Sequence, residues 1–169
     1  MKKILIIFVP LALMISGLAA CHPVPEGPQI EISDVWGRPS PLAEGNAAVY
    51  MRIRNTGGED DRLIGASSQA AEVLELHDMI MENDVMIMRE VKGGKIPVPA
   101  GAQVKLKRGG LHIMCIGKEK PLEAGSNLDI ALLFENAGTV NVTAEVVEPG
   151  EMPMDMDSEE QGEMDMDSE

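Results

Sequence analysis

The chain has 169 residues and a net charge of −14, from 28 acidic and 14 basic side chains. This acidic excess, with no basic stripe to neutralise phosphates, argues against nucleic acid as a partner. Only two cysteines are present, which excludes a disulfide framework, and the length suits one domain with a real hydrophobic core.

The first 20 residues have the pattern of a secretory signal. Two lysines precede an apolar run over residues 4–20, which is too short and wrongly flanked for a settled transmembrane helix. The run ends in Leu-Ala-Ala-Cys, which resembles a bacterial lipobox and predicts an acylated Cys21 on an exported, membrane-anchored protein. Ordinary cleavage before Cys21, leaving a thiol, is the alternative. The proline-rich residues 21–29 are typical of a tether.

Residues 30–149 predict a single all-β domain. Apolar and alternating runs recur between turn residues, at 30–32, 47–53, 63–64, 71–77, 85–91, 104–107, 111–116, 128–134 and 140–147. Such short runs, spaced about ten residues apart, favour an antiparallel β-sandwich. Residues 67–76 have room for one or two helical turns, and no segment shows a sustained helical period.

Residues 150–169 form an acidic, methionine-rich tail. Met-Asp-Met-Asp-Ser-Glu occurs at 154–159 and again at 164–169, a low-complexity pattern that predicts disorder. Thioethers bind cuprous ions and carboxylates attract cations, so the tail methionines are candidate secondary copper ligands. These are Met152, Met154, Met156, Met164 and Met166. The alternative is a tail that serves only solubility.

Two segments place soft metal ligands on one strand face. Because alternate side chains share a face, His112 and Met114 should point one way and Ile113 and Cys115 the other. Met86 and Met88 should likewise share a face, and His77 precedes another methionine-rich stretch. Neutral thioethers and imidazoles suit Cu(I) better than zinc, which prefers thiolate, imidazole or carboxylate. Methionines that merely fill core gaps are the structural alternative.

These motifs resemble the periplasmic copper A chaperone (PCuAC) family, whose pattern is His-x10-Met-x21-His-x-Met. Ten residues separate His77 from Met88, as in the pattern, whereas 23 separate Met88 from His112. We place the two extra residues in turns at Gly93-Gly94 and at 97–99, outside the ligand strands. Further similarity spans about residues 30–148 and includes Asp-Val-Trp-Gly-Arg-Pro at 34–39 and Gly-Gly-Leu-His-Ile-Met at 109–114.

The resemblance implies a cupredoxin-like Greek-key sandwich that binds Cu(I) and passes it to other proteins. The implied ligands are His77, Met88, His112 and Met114. The implied acceptors are a cytochrome c oxidase subunit, at its copper A site, or oxidase assembly factors. We expect a monomer and no enzymatic activity. Sequestration of copper without delivery is the main alternative, and a metal-free structural sandwich is another.

Two sets of residues keep alternative roles. Met79, Met81 and Met86 have no position in the family pattern, and either gap filling or a secondary copper site would explain them. Cys115 would be the thiolate of a blue-copper centre if it faced His112. Strand alternation instead makes Cys115 a small core residue.

Overall fold

The computed structural model describes residues 25–39, 46–117 and 123–148. The predicted signal segment, the lipid attachment at Cys21 and the acidic tail lie outside these residues. Within the described ranges, no helix is long and apolar enough to cross a membrane.

The described residues form ten β-strands and one short 3₁₀ turn over Lys92–Gly94. In chain order the strands are β1 (Ile30–Pro39), β2 (Ala47–Asn55), β3 (Asp61–Ser67), β4 (Val73–Glu82), β5 (Val85–Glu90), β6 (Ile96–Val98), β7 (Gln103–Leu106), β8 (His112–Ile116), β9 (Asn127–Phe134) and β10 (Gly138–Val146). The prediction of an all-β domain is confirmed.

One continuous sheet runs in the order β5-β4-β8-β2-β1-β10-β9-β3-β6, and β7 pairs with the second half of β2. The sheet folds over on itself, because one buried cluster contains Val49 and Ile113 from one half and Leu63 and Leu132 from the other. Pairings are antiparallel in both halves. The halves are joined by a parallel pairing of β1 with β10, which the expectation of an antiparallel sandwich did not include.

Two local predictions differ from the structure. The segment with Pro97, expected to be a turn, is instead the short strand β6, which buries Ile96 and Val98 at the sheet edge. Pro97 is tolerated there because it is exposed and an edge strand does not need every amide to pair. The helical turns allowed for residues 67–76 do not form, since β3 runs to Ser67 and β4 begins at Val73.

Strands β4 and β5 form a tight hairpin. Its two-residue loop is Asn83-Asp84, with φ angles of 51° and 61°, as a type I′ turn requires. Asparagine and aspartate tolerate this left-handed region better than other non-glycine residues. β4 continues up to this turn and ends at Glu82. His77 therefore lies in the middle of β4, whereas the predicted run of residues 71–77 ended at it.

Candidate metal centre

The strand register brings the implied ligands to one face of the sheet. His77 on β4 lies directly opposite His112 on β8, and Met79 lies opposite Met88 on β5. Directly opposed residues, and residues two apart along a strand, share a face. Met114 therefore lies on the same face as the two histidines, although 35 positions separate His77 from His112 in the sequence.

His112 is held with one ring nitrogen turned toward Met88. Its Nδ1 lies 2.8 Å from the carbonyl oxygen of Gly110, which can only accept a hydrogen bond. The ring proton is therefore on Nδ1, and Nε2 carries a lone pair. That Nε2 lies 3.2 Å from the sulfur of Met88. The imidazole nitrogen of His112 and the thioether sulfur of Met88, each with a lone pair, thus face one another. His112 is only 4% exposed.

In His77 the ring nitrogen that carries the lone pair is Nδ1, whereas in His112 it is Nε2. Nε2 of His77 lies 2.8 Å from a carboxylate oxygen of Glu75, so Nε2 carries the proton in the neutral ring. Its Nδ1 is buried and has no hydrogen-bond partner among the described residues. The two imidazole rings lie 5.8 Å apart, edge to face. A carboxylate that holds the far nitrogen of a histidine is a common outer partner of metal ligands.

The methionines of this face differ in burial. Met114 is 7% exposed, whereas Met88 is 40%, Met86 45% and Met81 64% exposed. Gap filling therefore does not explain Met81 and Met86. Within the described residues, no group of three or more histidine, cysteine, aspartate or glutamate side chains could hold a metal ion. Beside the two histidines, this face carries the thioether sulfurs of Met88 and Met114.

An aromatic wall borders the histidines on the side of β2. The ring of Tyr50 lies 6.2 Å from that of His112, and the ring of Trp36 lies 4.5 Å from that of Tyr50, tilted by 35°. Burial raises the pKa of the Tyr50 phenol, which therefore stays neutral. Neither this wall nor the role of Glu75 was predicted from the sequence. The available signals were the scarcity of aromatic residues and the position of Glu75 two residues before His77.

Cys115 lies on the other face of β8. It is fully buried in the main core beside Ile113, opposite Ala47 and Leu74 in the register. A thiolate ligand for the His112 face would require the strand to rotate, so the geometry offers no blue-copper centre here.

We expect His112 of the metal-free protein to titrate below pH 6.5. Burial lowers the pKa of its imidazole, and the positive charge of His77 adds to this, whereas the Gly110 carbonyl opposes it. Between pH 6.5 and the lower folded value, the unfolded chain binds a proton that the folded chain does not. The contribution of His112 to the free energy of unfolding is therefore fully present above pH 6.5 and decreases as the pH falls. NMR of the ring signals gives the midpoint, and a value at or above 6.5 would contradict the burial argument.

Comparison with known proteins defines the class. The copper-bound PCuAC domain from PmoF2 superposes with a TM-score of 0.58 at 26% identity, over 76% of this chain and 97% of that domain. The copper(I) form of DR1885 from Deinococcus radiodurans matches with a TM-score of 0.53 at 27% identity, over 79% and 84% of the two chains. The fold is that of a PCuAC domain, and the resemblance seen in the sequence is confirmed.

The sequence family described as LpqE-like matches residues 30–146. A protein of Leifsonia xyli subsp. xyli that carries a lipoprotein name, Lxx21020, is 34% identical over 117 residues, which is 69% of each chain. The chain therefore belongs to the LpqE-like family.

Proposed function

We propose that this protein binds one cuprous ion through His77, Met88, His112 and Met114. The observation that carries the proposal is the 3.2 Å approach of the Met88 sulfur to Nε2 of His112. Two donors at this separation can both reach one ion, because metal bonds to nitrogen and sulfur are about 2.0–2.3 Å long. Nδ1 of His77 would supply the second imidazole nitrogen.

The ligand chemistry favours Cu(I) over other common ions. All four proposed ligands are neutral and two are soft thioethers, which suits a soft monovalent ion. A divalent ion is better stabilised by anionic ligands, and none of the four proposed ligands is anionic. The Glu75 carboxylate binds the far nitrogen of His77 and is not one of the four. The copper-bound state of the PmoF2 domain and the copper(I) form of DR1885 support the same assignment.

The position of the site suits transfer of the ion to another protein. His112 and Met114 are buried, whereas Met88 is 40% exposed on the edge strand β5 and gives an acceptor access to one ligand. Because the proposed ligands are neutral, thiolates or imidazoles of an acceptor can replace them one at a time. We infer a chaperone, with a cytochrome c oxidase subunit or oxidase assembly factors as the acceptor and no enzymatic role.

We propose that the protein acts outside the cytoplasm, as a monomer anchored through a lipid on Cys21. The signal-like leader and the lipoprotein name of its relative support this location. Two acyl chains or more would make such an anchor stable, at about 0.8 kcal/mol per buried methylene. The tail methionines would add weak copper ligands near the main site.

Delivery and storage give different results when an acceptor is added. We expect the copper(I)-loaded protein, under anaerobic reducing conditions, to transfer its ion to the metal-free copper A domain of a cytochrome oxidase. The copper content of the two proteins after chromatographic separation measures this. Copper that stays on the donor with excess acceptor present would favour sequestration, and absence of one-to-one copper(I) binding would overturn the proposed site itself.

A further inference from the structure

The outer part of the β4–β5 hairpin carries a thioether surface that the four proposed ligands do not use. Met81 lies directly opposite Met86, and on the next rung of the same face Met79 lies opposite Met88. Met81 and Met86 are 64% and 45% exposed. Four methionines thus line one face from the hairpin tip to the edge of the His112 site.

Core packing does not account for this arrangement. The back face of the same part of the hairpin carries Asp78 opposite Arg89, and Arg89 forms an ion pair with Glu82 near the tip. The same back face also carries Ile80 opposite Ile87, and both are partly buried. Met81 and Met86 on the front face are exposed, so burial of apolar surface does not explain them. Threonine or charged residues would suit an exposed edge strand better, because exposed apolar edges promote aggregation.

The register allows the exposed sulfurs to converge on one ion. Directly opposed residues have Cβ atoms about 4.5–5.5 Å apart, and each methionine has three rotatable bonds beyond its Cα. The sulfurs of Met81 and Met86 can therefore meet above their rung, and Met79 can supply a third from the adjacent rung. Asp84 adds negative charge at the tip, which attracts cations without providing a soft ligand.

We propose that Met81, Met86 and Met79 form a second, solvent-accessible site for a soft monovalent metal ion. From it the ion reaches the buried site through Met88, whose sulfur already contacts His112. Each step exchanges one neutral ligand, a thioether or an imidazole, for another, so the ion keeps its charge and oxidation state. The destination of the ion rests on the proposed function, whereas binding at the hairpin stands on its own.

Silver(I) ions, which are soft and monovalent and do not change oxidation state here, provide the probe. The mature full-length chain, labelled with 13C at the methionine methyl groups, is titrated with silver and followed by NMR. We expect the first silver to shift the Met88 and Met114 signals, and further silver to shift Met81, Met86 and Met79. In a Met81→Leu/Met86→Leu variant the shift of Met79 should be lost while that of Met114 is kept. A Met164→Leu/Met166→Leu variant, which removes as many sulfurs from the tail, should leave the hairpin shifts unchanged.

The outcomes separate the two proposals. Met81 and Met86 signals that stay fixed while Met88 and Met114 shift would overturn the hairpin site and leave the proposed function intact. Hairpin signals that shift while Met88 and Met114 stay fixed would support the hairpin site and overturn the four-ligand site. A Met79 shift that persists in the hairpin variant would also count against the second site.

Discussion

Replacing His112 by alanine should lower the affinity for Cu(I) by at least about 100-fold. Loss of an outer partner of a metal ligand costs about 10–100-fold, and loss of a ligand should cost no less. The effect is large because Nε2 of His112 is fixed toward Met88 by the Gly110 hydrogen bond. The measurement is competition for Cu(I) against a chelator of known affinity, under anaerobic conditions. Circular dichroism of each metal-free variant shows whether it is folded.

Neighbouring substitutions provide matched controls for the copper site. Met88→Ala should weaken binding similarly, and Glu75→Ala by about 10–100-fold, because Glu75 orients His77 without being one of the four ligands. Cys115→Ala removes a sulfur from the same strand but from the core face, so copper affinity should hardly change. Wild-type affinity in both the His112 and the Met88 variant would show that copper binds elsewhere, for which the tail methionines are the first candidate.

Replacing Asp61 by alanine should destabilise the metal-free protein by about 2–4 kcal/mol, because backbone amides lose their buried acceptor. Asp61 is 1% exposed at the start of β3. Its carboxylate accepts hydrogen bonds from the backbone amides of Arg62, Asn136 and Ala137 at 2.7, 2.9 and 2.8 Å. It therefore holds the β9–β10 turn onto a strand more than 70 residues earlier in the sequence. Urea denaturation monitored by circular dichroism measures the change.

Two related variants test whether the carboxylate acts through these hydrogen bonds. Asp61→Asn keeps one acceptor oxygen and should lose less stability than the alanine variant. Asp60→Ala removes an exposed side chain that accepts one hydrogen bond, from the Ala100 amide, so about 1 kcal/mol or less should be lost. Equal losses for Asp60→Ala and Asp61→Ala would contradict the assigned role. Copper affinity should be unchanged in folded Asp61→Asn, because the amides that Asp61 binds, those of Arg62, Asn136 and Ala137, do not belong to the site.

Most strands could be predicted from alternation and turn residues alone. Strands were predicted at 85–91 and 111–116, and the structure has them at Val85–Glu90 and His112–Ile116 with the predicted faces. Period-two patterning is a local property, so it is visible in one segment without knowledge of its neighbours. The two missed features were also local. The three-residue strand β6, which contains a proline, is too short to show alternation. The composition of residues 67–72 does not specify one conformation, so helical turns were allowed there.

Pairing between strands could not be predicted in the same way. Alternation predicts which face of its own strand Met88 or His112 occupies. It does not predict that β4 lies between β5 and β8. That order follows from burying one shared core, a property of the whole chain. The aromatic wall of Trp36 and Tyr50 depends on β1 and β2 lying on the far side of β8, and it was missed for that reason.

The sequence by itself determined the all-β class, the soft character of the candidate ligands and the face on which each lies along its own strand. These properties depend on side-chain chemistry and on the two-residue repeat of a strand. Only the tertiary structure decided that His77 lies opposite His112, that Met88 reaches Nε2 of His112, and that Glu75 holds His77. The register of β4 against β8 is set by turns and by core residues such as Leu76 and Ile113, whose burial fixes which histidines meet.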